Sequence, residues 1–222
     1  MKILGILGSP HVKGSTAVLW DAVLDAAEQA GADVERVYLR KLEMKYCEGC
    51  TQCYRLGECK YDDDVEKVKA KMLAADGIVL GSPVYIWGVT AQMKTLMDRC
   101  AYLVHCQLLD GKYGAAVATA GGSGEMDVAE FQSNYLRHCG AQIVGAAGAL
   151  GDGIGKVQDQ EAAVARAAAL GRDLAAAIAE HRVFPEQKAA HDEFFQRMKD
   201  LVTSMGDRYP AQYEHWVSRG WL

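Results

Sequence analysis

Lys2–Thr16 reads KILGILGSPHVKGST, an apolar run that passes through a loop of glycine, serine and lysine into the start of a helical pattern. Lys2–Leu7 predicts a short buried strand. Thr16–Ala30, with Leu19, Ala22, Val23 and Ala26 at helical spacing, predicts the first helix. The same alternation continues along the chain. Asp33–Leu39 (DVERVYL) alternates as a half-exposed edge strand, and Arg40–Tyr61 is a loop. Val65–Ala74 is a helix with Val65, Val68 and Met72 on one face and an aspartate of Asp62–Asp64 as its N-cap. Gly77–Gly81 is a buried strand, followed by a loop and a helix with Met93, Leu96, Met97 and Cys100 on its apolar side. Gly114–Ala120 is a further buried strand that ends in Gly121-Gly122-Ser123-Gly124. A helix near Asp127–His138 and a strand at Gln142–Ala147 complete the series. Strands alternating with helices predict an α/β fold, a three-layer, doubly wound, parallel five-stranded sheet covered on both faces.

The chain has 222 residues, enough for one domain with appendages. Half of them are hydrophobic and 24% are charged, which excludes a disordered chain. The 24 Lys+Arg against 29 Asp+Glu give a net charge of −5, which argues against nucleic acid as the partner. No apolar run approaches the roughly 18 residues of a bilayer span, so no membrane is expected. MKILGILGSP is too short an apolar run for a signal peptide, and a cytoplasmic location is expected.

Beyond residue 150 the pattern becomes a helical extension. Lys156–Glu180 is Ala-rich, with Leu170, Leu174 and Ile178 on one stripe. Lys188–Met205 carries Phe194, Met198, Leu201 and Met205 on one face, with Gly206 as C-cap. The tail holds Tyr209, Tyr213, Trp216 and Trp221, which need cover from the chain's own domain or from a second subunit, and the balance inclines to an interface. The expected division is a ligand-binding domain over 1–182 and an interface segment over 183–222.

In a parallel sheet every strand delivers its carboxyl end to the same edge, where ligands bind. Three loops meet there. In Gly8–Thr16 the amides at the helix start, with Ser9, His11, Lys13, Gly14, Ser15 and Thr16, offer a cradle for a phosphate monoester. An ordinary capped turn is the competing reading. The pattern is neither GxGxxG nor GxxxxGK[ST]. In Gly81–Gly88 (GSPVYIWG), Pro83 stiffens the loop, Val84 follows it, and Tyr85 and Trp87 could wall in a planar heterocycle or simply fill the core. In the third loop the bare backbone of Thr119, Ala120, Gly121 and Gly122 could hydrogen-bond the polar edge of a ring, or the segment could be a flexible turn. Phosphate cradle, aromatic wall and glycine floor together fit flavin mononucleotide (FMN) better than a free phosphate.

Four of the seven cysteines lie in Cys47-x2-Cys50-x2-Cys53-x5-Cys59. In a chain of this class a tight cysteine group means metal or redox chemistry rather than disulfides. Three sulfurs in seven residues can wrap a compact polyhedral centre that the fourth closes, and bacterial four-iron ferredoxin runs begin in the same way. Zinc sites more often present two separated pairs, so zinc is less favoured but open. Four metal-free thiols or a disulfide relay remain as alternatives. Lys45, Arg55 and Lys60 flank the loop and would offset negative cluster charge. Cys100, Cys106 and Cys139 lie in apolar stretches and read as buried thiols. The loop follows the second strand, so it emerges at the flavin edge, one strand spacing of about 4.8 Å from its neighbour.

These residues resemble the iron–sulfur flavoproteins, a branch of the flavodoxin-like NAD(P)H-dependent FMN reductases. The resemblance covers roughly the first 150 residues. It is carried by GSPHVKGST, by the cysteine run with Asp62–Asp64 after it, and by GSPVYIWG through Met93, Lys94 and Asp98-Arg99, and the tail YEHWVSRGWL is similar to the end of longer members. It implies a flavodoxin-like sheet of order 2-1-3-4-5 with FMN at the first and third strand ends. It implies a [4Fe–4S] cluster on Cys47, Cys50, Cys53 and Cys59. It also implies a homodimer or homotetramer in which cluster and flavin of different subunits approach each other. Relatives often carry arginine at His11 and asparagine at Ser15, but amides and hydroxyls for phosphate remain.

The expected function is that of a redox flavoprotein passing electrons between a [4Fe–4S] cluster and FMN, with NAD(P)H or a ferredoxin as redox partner. Two alternatives stand beside it: an FMN-only NAD(P)H-dependent reductase of quinones, nitroaromatics or flavin, and a non-catalytic zinc-stabilised flavin-binding module. No side chain is expected to act as a catalytic acid or base. His105, His138, His181, His191 and His215 are expected to be surface or packing residues.

Overall fold

Alternate residues of the first strand bury into opposite layers, which is why it reads as a continuous apolar run. In a computed structural model that describes residues 1–222, Ile3 and Leu7 of β1 (Lys2–Leu7) pack with Leu19, Trp20, Val23 and Leu24 of α1 (Ser15–Gln29), while Leu4 and Ile6 pack on the other face. After β2 (Asp33–Tyr38) comes a single 3-10 turn at Leu39–Lys41. The cysteine loop follows and contains one short helix, α2 (Gln52–Leu56). Then come α3 (Asp64–Ala74), β3 (Gly77–Pro83), α4 (Ala91–Arg99), α5 (Ala101–His105), β4 (Tyr113–Ala120), α6 (Glu125–His138), β5 (Gln142–Leu150) and α7 (Gln160–Ala179). Helices α8 (Pro185–Ser204) and α9 (Pro210–Ser218) end the chain.

All strand pairs are parallel, and the order is β2-β1-β3-β4-β5, as expected. Helices α1 and α7 cover one face. Helices α3, α4 and α6 cover the other, through Val65, Val68, Met72, Met93, Leu96 and Leu136. Leu7 pairs with Gly81 and Pro83 with Thr119, so the ends of β1, β3 and β4 lie side by side at one edge. No helix is long and apolar enough to cross a membrane.

The differences from the sequence reading are mostly at element ends. Strand β3 runs to Pro83 and β5 to Leu150, because their last residues continue the ladder into the ligand edge. Helix α7 starts at Gln160 rather than Lys156. Residues 152–156 instead turn around the Asp152 carboxylate, which accepts from the backbone N–H of Ile154, Gly155 and Lys156. Helix α8 starts at Pro185, a proline in the first turn where its missing N–H has no helical partner to lose.

The C-terminal segment packs against the rest of the chain. Met198, Val202 and Trp216 form a small core with Phe195 and Trp221, and Trp216 is fully buried within its own chain. Its indole N–H donates to the His105 carbonyl at 2.8 Å. Gln187 of α8 brackets the backbone of Ile143, accepting from its N–H at 3.0 Å and donating to its C=O at 2.6 Å, so part of the edge of β5 is covered.

Candidate functional site

The three ligand-edge loops are tied to one another by short hydrogen bonds. Gly8 N–H donates to Gly81 C=O at 2.7 Å, and the Thr90 hydroxyl donates to Gly8 C=O at 2.7 Å. Val84 N–H donates to Thr119 C=O at 2.8 Å, and the buried hydroxyls of Thr16 and Thr119 lie 2.6 Å apart. Thr90 also N-caps α4 through Met93 N–H. Sequence reading passed over Thr90; a threonine just before an apolar helical face was the available signal.

Gly14 stands at the N-cap of α1, with no side-chain cap and no acidic residue in the first turn, so the helix amides are left for an anion. The Ser9 hydroxyl folds back on the backbone of His11, accepting from its N–H at 3.1 Å. His11 and Lys13 are exposed at the lip. Ser15 has a different position from a simple phosphate donor. Its hydroxyl donates to Lys156 C=O at 2.8 Å and accepts from Gly153 N–H at 3.0 Å, fastening the β5–α7 loop beside the cradle. Gly14 is needed because a Cβ there would meet Gly153 C=O at 2.7 Å and His11 Cβ at 2.9 Å.

Tyr85, Ile86 and Trp87 are not core: they are 47%, 96% and 77% exposed. Tyr85 and Gly88 exchange both backbone hydrogen bonds, with Ile86 at φ 46° and Trp87 at φ 63°. This is a two-residue hairpin of the kind that favours Asn-Gly, occupied by a β-branched and an aromatic residue. Such strain is held where it serves a site. Trp87→Gly is therefore expected to raise the melting temperature of the flavin-free protein by about 2–4 °C, through roughly 1 kcal/mol of relieved strain, while weakening flavin binding. A lowered melting temperature by scanning calorimetry would show that the indole is a packing residue. On the opposite side, a Cβ at Gly121 or Gly122 would meet nothing within 4 Å, while Gly124 lies against the Trp87 ring. Pro83 pairs with Thr119 at the ends of β3 and β4, and Val84 and Ala120 follow them along the chain.

The four clustered cysteines are all free and line one cavity of about 130 Å³ together with Tyr54, Tyr61, Asp98 and Arg99. Gly49, Thr51 and Gly57 have φ of 64°, 60° and 80°, which turns the chain tightly around it. The loop is pinned from α3 and α4. Asp63 caps α3 and accepts from Lys45 N–H at 3.0 Å. Arg99 reaches across to Asp63, to Lys45 C=O and, through Nε, to Cys59 Sγ at 3.2 Å. Glu66 accepts from Cys59 N–H at 3.2 Å, and Lys69, paired with Glu66, reaches Gly57 C=O. Burial raises the Asp63 carboxyl, but the Arg99 hydrogen bonds and the backbone donors outweigh it and hold the group below the usual carboxylate range. Burial, then the nearby sulfurs of Cys59, Cys47 and Cys50, pushes the Cys53 thiol up to about 11. Of the flanking cations, Lys60 is taken up by Glu48 at 2.5 Å. The cation that reaches a cysteine sulfur is Arg99.

No group of three His, Cys, Asp or Glu side chains in the chain is drawn together as the ligands of a single ion. Four thiolates on one zinc at about 2.3 Å would be mutually close-packed. A polyhedral cluster gives each cysteine its own corner around one space, and the four cysteines line one cavity with Arg99 Nε–H donating to Cys59 Sγ. Cys100, Cys106 and Cys139 are fully buried elsewhere, and burial raises the Cys100 and Cys106 thiols to about 12. His105 packs by stacking on Tyr54, with ring centroids 4.2 Å apart.

Residues 1–154 match the NADPH-dependent FMN reductase family. Over its whole length the chain is 34% identical to an iron–sulfur flavoprotein of Archaeoglobus fulgidus, covering 100% of both chains. The chain belongs to the iron–sulfur flavoprotein branch of the FMN reductase family. A Methanocaldococcus jannaschii iron–sulfur flavoprotein is 40% identical over 62% of this chain and 73% of its own. The NAD(P)H:quinone oxidoreductase of Methanothermobacter marburgensis shares the fold, with a TM-score of 0.63, 17% identity, and coverage of 78% of this chain and 98% of that one. As a member of the FMN reductase family the protein is an FMN-dependent oxidoreductase, a flavin redox protein. FMN, when bound, supplies hydride and single-electron chemistry; the amides at the start of α1 would hold its phosphate, and Tyr85 and Trp87 would wall its ring.

Proposed function

We propose that the protein passes electrons between FMN at the carboxyl edge and a [4Fe–4S] cluster on Cys47, Cys50, Cys53 and Cys59. The observation that carries this reading is the convergence of all four cysteines on one braced cavity, in the loop that leaves β2 beside β1. The phosphate cradle leaves from β1, so both sites grow from neighbouring strands of one edge. The names of the full-length Archaeoglobus fulgidus relative and of the Methanocaldococcus jannaschii relative support it. The Cys53 thiol, protonated at neutral pH without a metal, would lose its proton on binding iron, as every cluster thiolate must.

The protein would take electrons from NAD(P)H or a ferredoxin; the description of the matched family favours the nicotinamide donor. A homodimer or homotetramer belongs to the reading, since exposed Tyr46, Ile86 and Trp87 leave apolar surface near both sites. Anaerobic titration with dithionite tests the paired centres. Uptake of about three electrons per chain, two on FMN and one on the cluster, is expected; uptake of about two, with no paramagnetic cluster signal, would favour FMN acting alone.

Replacing Ser9 and Thr16 together with alanine removes the hydroxyls that hold the cradle to His11 and Thr119. At about 1 kcal/mol for each lost bond, FMN affinity should fall roughly tenfold or more. Fluorescence titration with FMN checks this, and an unchanged affinity would place the phosphate elsewhere.

A further inference from the structure

Five cations stand around the cysteine loop, and only one is both buried and aimed at sulfur; Arg55 is exposed. Lys60 is partly exposed and paired with Glu48. Lys45 lies over the Tyr61 ring, with Nζ 5.1 Å from its centroid. Lys69 is paired with Glu66 and turned to Gly57 C=O. Arg99 has a side chain with no solvent exposure, and its partner Asp63 is 5% exposed. The guanidinium forks onto the Asp63 carboxylate at 2.7 and 3.0 Å and donates to Lys45 C=O at 2.7 Å. These bonds fix its plane, and Nε–H is left directed at Cys59 Sγ, 3.2 Å away. A lysine has no rigid fork and could not hold the carboxylate bidentately while donating to the sulfur.

We propose that Arg99, locked by Asp63, is a positioning residue for Cys59 that sets the electron affinity of the cluster. The inference rests on the reading of the four cysteines as cluster ligands. Reduction adds one negative charge to the cluster and its thiolates. A hydrogen bond to a ligand sulfur and a nearby positive charge both stabilise that added charge and raise the potential. Burial keeps the Arg99 charge from being screened as a surface lysine is. Asp63 aims the fork and offsets part of its charge; asparagine at 63 keeps an oxygen that accepts from the fork and removes only the negative charge. Removing Arg99 and neutralising Asp63 should therefore move the potential in opposite directions, whereas a brace that only stiffens the loop would move it the same way for both.

The test is an anaerobic redox titration of the FMN-loaded protein, followed by the paramagnetic signal of the reduced cluster, with iron counted per chain. Arg99→Gln should lower the cluster potential by the equivalent of at least a tenfold weaker hold on the added electron, about 59 mV for one electron. Asp63→Asn keeps an N-cap for α3 and should raise the potential. If Arg99→Gln sheds its iron while retaining FMN, Asp63→Asn decides, a raised potential supporting the role and an unchanged or lowered one overturning it. Shifts of the same sign, or no shift with iron retained, overturn it. Loss of iron from both variants with FMN retained would reduce the pair to a structural brace and also overturn it. Failure of the ligand reading itself shows separately, as unsubstituted protein without iron.

Discussion

Cys50→Ser, purified without oxygen, should remain yellow with bound flavin and lose its iron. Cys50 sits on the exposed outer turn of the cysteine loop, between left-handed Gly49 and Thr51. No spare thiol is placed to replace it, because Cys100, Cys106 and Cys139 are fully buried in the layers of the domain. The flavin cradle shares no hydrogen bond with Cys50, and the braces on Lys45, Gly57 and Cys59 stay in place. A drop of at least about tenfold in iron per chain, with the flavin absorbance band unchanged, is the expected outcome. Iron retained at the unsubstituted level would remove Cys50 from the ligand set.

Gly171→Ala should produce the largest loss of stability of any methyl-sized change. Helices α1 and α7 cross against one another at this glycine. A Cβ at 171 would run into the Val23 carbonyl oxygen, with the carbonyl carbon at 2.8 Å and Cα at 3.0 Å. These are backbone atoms inside a helix, so no rotamer change relieves the contact, and one helix must move off the other. That separation opens the core around Trp20, Val23 and Leu174. Overpacking of this kind costs about 3 kcal/mol, or roughly 6–12 °C in melting temperature for a chain of this size. The measurement belongs on flavin-free protein, since bound FMN adds its own stabilisation. A melting temperature within about 2 °C of the parent would mean that the two helices are held less closely.

The doubly wound parallel sheet was legible because β1, β3 and β4 are short apolar runs that each end in a glycine- or serine-bearing loop, and such a series leaves few topologies; its order 2-1-3-4-5 was implied by the family resemblance. The common edge of the three loops and the cysteine group followed from the strands being parallel. What stayed hidden depends on groups distant in sequence. Ser15 reads as a phosphate donor until Asp152 and Lys156, far along the chain, are seen to occupy its hydroxyl. Trp87 could have been core, and its exposure is set by a hairpin that no Asn-Gly signal announces. Arg99 and Glu66 look like solvated helix positions, and only the fold brings them against Cys59. The tail aromatics needed cover, and for Trp216 the fold supplies it from α8 and α5.

The central claim is that an inorganic cluster and a flavin share one edge of the sheet. Iron, acid-labile sulfide and FMN counted on the same anaerobically purified sample test it directly. About four irons, about four sulfides and about one FMN per chain are predicted; one FMN with zinc, or with no metal at all, would contradict it.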